Sequence, residues 1–295
     1  MNETGAPGVG RRWKYAISEV TTMSCSFEED AKLYADAGCQ GIGVWGFKME
    51  AIGPERALDL MRRHDLRAAN CIPELNSIMP YVLSPAPADP RQRVEAFLPK
   101  MERMARLEPE SIVVITGPRG NRSAEEATDL CLEGFARIGK AAADLGVTIS
   151  LEPIHRSVRD VFTTIWDLPG TLEMLRRLDQ PSFKILFDTW HLWDTPDVGA
   201  NLAANIELIG GVHVADWREE TRTWADRAFP GEGKLPMLDI LHQLDSAGFK
   251  GFYDVEIFSD NGQFDAAYPD SLWKLPPEEI VERATRIFRE PALQR

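Results

Sequence analysis

Residues 111–153 read SIVVITGPRGNRSAEEATDLCLEGFARIGKAAADLGVTISLEP. Two strand-like runs, Ser111–Thr116 and Val147–Pro153, flank an amphipathic stretch, Ala124–Leu145, that stops at Gly146. Short β-branched runs are expected where helices cover a parallel sheet. A glycine just past a helical pattern marks its end. The segment therefore predicts a strand–helix–strand unit whose second strand carries a carboxylate, Glu152, at its tip.

The same unit recurs on both sides. Further strands are expected at Tyr15–Val20, Gly41–Trp45, Arg67–Ile72, Lys184–Asp188, Gly211–Val214 and Gly251–Ile257. Helical patterns lie at Phe27–Ala37 and Leu235–Ala247, each followed by glycine, and at Pro54–His64 and Pro277–Phe288, each opening with proline. Eight strands alternating with helices, with no Ser/Gly-rich linker, predict an α/β chain folded as a single (β/α)8 TIM barrel over residues 13–295. Residues 1–12 read as a flexible lead-in. A doubly wound sheet is the rival, lowered by the lack of a GxGxxG after the first strand and of a Walker-type loop. Segment 73–90, with prolines at 73, 80, 85, 87 and 90, is too long for a tight turn. It reads as a lid or rim element over a pocket, or as a surface insertion.

Composition narrows the function class. The 295 residues are 44% hydrophobic and 27% charged, which excludes a disordered or fibrous chain. A net charge of -13 repels phosphate backbones, so no nucleic-acid partner is expected. No window approaches the roughly 18 apolar residues of a membrane span, and the first residues lack the apolar core of a secretory signal. Cys25, Cys39, Cys71 and Cys131 are scattered, as expected of reduced thiols in a cytoplasmic protein.

In such a barrel the chemistry sits at the C-terminal ends of the strands. There the sequence offers Glu152, then Asp188 and His191, then His213, Asp216 and Arg218, then Glu256. Any one of these carboxylates alone reads more simply as a helix cap or an ion-pair partner, and Asp216 suits a turn cap. As a set, three carboxylates and an imidazole at successive strand tips repel unless a cation neutralises them. Oxygen ligands with one nitrogen suit Mn²⁺ first, with Mg²⁺ or Co²⁺ as alternatives.

Leu-Glu-Pro at 151–153, Phe-Asp-x-x-His at 187–191, Val-His-Val-x-Asp at 212–216, Pro-Gly-Glu-Gly at 230–233 and Val-Glu at 255–256 carry a resemblance. On these motifs the chain resembles the xylose-isomerase-like TIM-barrel superfamily, in particular its sugar isomerase and epimerase branch. The resemblance implies Glu152, Asp188, His213 and Glu256 as metal ligands. It implies proton abstraction next to the carbonyl of a keto sugar or keto-cyclitol through a metal-stabilised enediolate. Glu152 and Glu256 would remove and return the proton, and His191 would reach the substrate or a water beside the metal. Arg218 would meet a substrate hydroxyl or carboxyl group. Glu232 would lie at the rim or shape its turn.

The chain also departs from the epimerase pattern. Those enzymes carry another glutamate shortly after the strand-five Glu-Pro, where this chain has Ile154-His155-Arg156-Ser157-Val158. His155 and Arg156 would hold a more acidic or differently shaped substrate, or make ordinary rim contacts. The pattern His-Val-x-Asp-x-Arg over 213–218 is similar to inosose dehydratases as much as to ketose epimerases. Trp45, Trp190, Trp193, Trp217 and Trp224 cluster near the expected mouth, to stack on a sugar or an aromatic aglycone or simply to pack. Trp45 and Lys48, after strand two, point toward the same mouth.

The leading expectation is thus a metal-dependent isomerase or epimerase of a small carbohydrate or cyclitol, a homo-oligomer as relatives commonly are. The alternative is a lyase of the same superfamily, dehydrating a keto-inositol or eliminating from a 3-keto-glycoside. A remote alternative, an apurinic endonuclease, would use several metals and more than the 5 histidines present.

Overall fold

The computed structural model describes residues 13–289. The lead-in expected over residues 1–12, and residues 290–295 of the expected barrel span, lie outside the described residues. Ten strands are β1 (Lys14–Ser18), β2 (Gly41–Trp45), β3 (Arg67–Ile72), β4 (Ser111–Val114), β5 (Ile149–Leu151), β6 (Phe183–Asp188), β7 (Ile209–Val214), β8 (Asp216–Trp217), β9 (Arg227–Ala228) and β10 (Phe252–Val255). Eight close into a parallel barrel in the order β1-β10-β7-β6-β5-β4-β3-β2, and β8 and β9 form a separate antiparallel ribbon. The barrel matches the expected fold; the ribbon is an addition.

Local chemistry sets the helix limits. Ser26 and Ser123 each open a helix with a capping box, their hydroxyls accepting from Glu29 N and Glu126 N while those glutamates accept from the serine amides. Gly146 closes helix Ala124–Leu145 in the left-handed conformation, φ 68°, where glycine has no Cβ penalty. Helices Gly46–Ile52, Pro90–Ala105, Leu168–Leu178 and Val198–Asn205 complete the outer layer. The first of these explains why Trp45 and Lys48 diverge, since Trp45 ends β2 and Lys48 lies on the helix that follows.

Segment 73–90 is held from beneath by Arg93, a fully buried residue of helix Pro90–Ala105. Its guanidinium donates to Ser77 O (3.0 Å), Ser84 O (2.9 Å), Pro87 O (3.0 Å) and Ser77 Oγ (2.7 Å). One side chain thus satisfies carbonyls that a loop of this length would otherwise bury unpaired.

Register places the strand ends together. Asp188 pairs with His213 across β6 and β7, and His213 with Asp254 across β7 and β10. Glu152 N donates to Val114 O and Glu256 N to Val214 O, so each glutamate stays on its strand's ladder one residue past the strand end. No helix among the described residues is long and apolar enough to cross a membrane.

Candidate metal centre

Glu152, Asp188, His213 and Glu256 come from four neighbouring strands and are all buried, each offering one ligand atom within 4.8 Å of the others. His213 Nδ1 stands 3.5 Å from Glu152 Oε1 and 3.4 Å from Glu256 Oε2. These two separations are those of donors that share one tetrahedral ion at bonds of about 2.0–2.2 Å. Glu152 Oε1 and His213 Nδ1 have no hydrogen-bond partner, so two buried polar atoms aim inward with nothing to satisfy them. The donor set and these orphaned atoms fit a divalent cation, and the same four residues were expected from the sequence.

The charges within the cluster are strongly perturbed. Burial pushes Glu152 up to about 7, against the pull of His213. Burial alone would lower His213, yet Glu256 and Glu152 outweigh it and push the imidazole up to about 10. Burial would raise Asp188, but Arg227, His191 and His213 together hold it below the usual carboxylate range. His213 thus serves as an internal cation among the carboxylates, a role that a bound ion would take over, since a ligating imidazole gives up that proton.

The second internal cation is Arg227, which the sequence reading missed. Its Nη1 lies 3.1 Å from both Asp188 Oδ2 and Glu256 Oε2, and Nη2 lies 3.4 Å from His191 Nε2. The β8–β9 ribbon carries it over the site. The available signal was an arginine set among Ala225, Ala228 and Phe229 immediately before Pro-Gly-Glu-Gly, where a solvent-facing loop has no need of such apolar company.

His191 is brought to the centre as expected, its Nε2 3.6 Å from Asp188 Oδ2 and 4.0 Å from Glu152 Oε1. Its Nδ1 accepts from the backbone N–H of His155 (3.2 Å), which fixes the ring's orientation. Burial pulls His191 down to about 3, so it is neutral near pH 7. Behind His213, Nε2 lies 3.9 Å from Asp254 Oδ2, itself reached by Asn70 Nδ2 at 3.3 Å. Gly43 and Gly211 lack the Cβ atoms that would collide with Asp254 and Asn70, leaving room for this polar pair inside the barrel.

The expected substrate contacts divide. Trp45 lines the pocket beside Glu152, Glu256, His191 and Arg227. Lys48 does not reach it, because its ammonium donates to Glu19 O (2.8 Å), Thr22 O (3.0 Å) and Asp30 (2.6 Å), which uses all three donors. Asp216 is likewise occupied, accepting from the amides of Trp217, Gly231 and Leu235, so it shapes the loop. Arg218 is held by the buried Asp226 (2.8 Å) and by Asp270 (3.1 Å), and Glu232 pairs with Arg283 and Arg286 of helix Pro277–Arg289. The His155 ring faces Ser157, Asp194 and Trp217, and only its amide serves the centre, through His191. Trp190, Trp193 and Trp217 pack together behind the site, whereas Trp45 and Trp224 line it. Segment 73–90 supplies Asn76, Tyr81 and Leu83 to the wall, which makes it a rim element.

Fold and site together define a TIM barrel with an acidic, histidine-containing centre at the C-terminal ends of its strands. The chain belongs to the xylose isomerase-like TIM barrel family, whose model matches residues 31–290. It is 27% identical over 151 residues to an inosose dehydratase of Geobacillus thermodenitrificans, 46% of this chain and 49% of that protein. It is 23% identical over 128 residues to a D-psicose 3-epimerase of Ruminiclostridium cellulolyticum, 43% of this chain and 40% of that one. These matches span less than half the length of either curated relative. A solved Sinorhizobium meliloti protein superposes with a TM-score of 0.83 at 23% identity, covering 94% of this chain and 98% of that one. The IolI protein with a bound zinc atom follows at 0.75 and 18%, covering 92% and 95%.

Proposed function

We propose that this protein is a divalent-metal-dependent enzyme that moves a proton at the carbon next to a carbonyl, on a keto sugar or keto-cyclitol. The observation that carries this reading is the convergence of Glu152, Asp188, His213 and Glu256 within 4.8 Å. The zinc bound by IolI, a protein of similar fold, supports a metal here. These four residues would hold the ion, Mn²⁺ first, and the ion would supply Lewis-acid stabilisation of charge developing on the substrate oxygen.

The chain's own groups do the rest. Glu152 is placed to accept and return a proton, with Glu256 as the second base; the two carboxylates flank His213 Nδ1 at 3.5 and 3.4 Å. His191, held in orientation by the His155 amide, presents its Nε2 edge to the substrate oxygens. Arg227 keeps Asp188 ionised, holds Glu256 in place, and offers its guanidinium to the same oxygens.

Return of the proton to the neighbouring carbon makes an isomerase, and return to the opposite face of the same carbon makes an epimerase. The second reading, a lyase that expels a group β to the carbon that loses the proton, is favoured by the similarity to an inosose dehydratase. The test is reconstitution of chelated protein with Mn²⁺, Mg²⁺ or Co²⁺, followed by NMR and mass analysis of ketoses, keto-inositols and 3-keto-glycosides in D₂O. Metal-dependent deuterium next to the carbonyl in an otherwise unchanged product supports isomerisation, and loss of water or an aglycone supports the lyase. Absence of both with every metal overturns the proposal.

A further inference from the structure

The pocket over the centre has two unlike ends. Its floor is ionic, while its outer wall is formed by rings in continuous contact. Tyr81 meets Phe162 at 5.7 Å between centroids, Phe162 meets Trp224 at 4.9 Å, Trp224 meets Phe258 at 5.4 Å, and Phe258 meets Trp45 at 5.7 Å. Ile115 and Ile154 fill the wall between them. The Arg227 guanidinium lies 5.0 Å over Phe258, which marks the boundary between the two ends.

The arc has few polar atoms to offer. The Tyr81 hydroxyl donates to Asn76 Oδ1 (3.1 Å), and the Trp45 indole N–H donates to Ser18 Oγ (2.8 Å). A polyol chain laid against this arc would bury several hydroxyls with almost no partners, each unpaired one weakening binding by about tenfold. An apolar ring meets the opposite situation, with edge and face contacts on several sides.

On these observations, and resting on the proton-transfer reading above, we infer that the substrate is a keto sugar or keto-cyclitol bearing an aromatic substituent. Its oxygenated ring lies at the ionic floor and its aromatic ring lies within the arc of Tyr81, Phe162, Trp224, Phe258 and Trp45. Trp45 ends β2 and Phe258 follows β10, and three further elements complete the arc: the Arg93-held segment 73–90, the turn after β5, and the loop that leads into β9. The bare metal site needs none of them.

The experiment pairs binding with reaction. Calorimetric titration of the metal-loaded protein compares phenyl and methyl β-glucosides, and exchange in D₂O compares their 3-keto forms. The phenyl compound is expected to bind about ten- to hundredfold tighter. Trp224→Ala and Phe162→Ala should each bring the phenyl-to-methyl ratio toward one. Equal affinities in the wild type overturn the inference even if exchange proceeds. A phenyl preference that the variants abolish sustains it even if no exchange is seen, in which case the proton-transfer reading is the one that fails.

Discussion

Removing Arg227 offers a demanding test of how the centre's charges are balanced. Its Nη1 bridges Asp188 and Glu256 at 3.1 Å each, and the side chain is 4% exposed. Arg227→Met keeps most of the volume and deletes the charge. Breaking a buried pair from one side costs about 3–5 kcal/mol, since the remaining carboxylates are left uncompensated. At roughly 2.1 cal/mol/K per residue, 295 residues unfold with an entropy near 0.6 kcal/mol/K, so the melting temperature should fall by about 5–8 °C in chelator. Saturating Mn²⁺ supplies the missing positive charge and should narrow that gap. Differential scanning calorimetry with chelator and with Mn²⁺ reads both values. A chelated variant melting within about 2 °C of wild type, or a gap that metal leaves unchanged, would refute the reasoning.

Two further substitutions separate positioning from stability. Asp254→Asn removes the carboxylate behind His213 Nε2 and should weaken Mn²⁺ binding about 10–100-fold by titration, with an unaltered circular dichroism spectrum; unchanged affinity would remove Asp254 from the supporting shell. Lys48→Met should leave metal affinity intact but destabilise the fold, most at high pH. Burial already pushes Asp30 up to about 6 while Lys48 pulls it down, so Asp30 favours folding below its unfolded value near 3.9 and that contribution is lost as pH rises through 6. Without Lys48 the charged carboxylate is unpaired, so the stability gap between variant and wild type should widen from pH 5 to pH 8, toward about 3–5 kcal/mol by urea unfolding. A gap independent of pH contradicts this.

Much of the fold was legible because strand burial is written in apolar runs. Gly41–Trp45, Arg67–Ile72 and helix Ala124–Leu145 match the expected limits. The strand expected at Val147–Pro153 shortens to Ile149–Leu151, with Glu152 keeping a single ladder hydrogen bond to Val114 beyond its end. The grouping of Glu152, Asp188, His213 and Glu256 was legible for a related reason: each sits at or one residue from a strand end, where sequence order fixes position in space. Direction beyond the strand ends was not. Lys48, Asp216, Arg218 and Glu232 follow those ends, but each has a nearer partner that no spacing reveals. Arg227 enters from a ribbon whose two-residue strands leave no periodicity to read.

The most direct measurement is titration of Mn²⁺ into chelator-treated protein, wild type beside Asp188→Asn and Glu256→Gln, with folding of each checked by circular dichroism. The convergence of four donors on one point predicts a single ion per chain in the wild type and a loss of affinity of at least tenfold in both folded variants. Folded wild type that binds no Mn²⁺, Mg²⁺, Co²⁺ or Zn²⁺, or variants that bind as tightly as wild type, would contradict it.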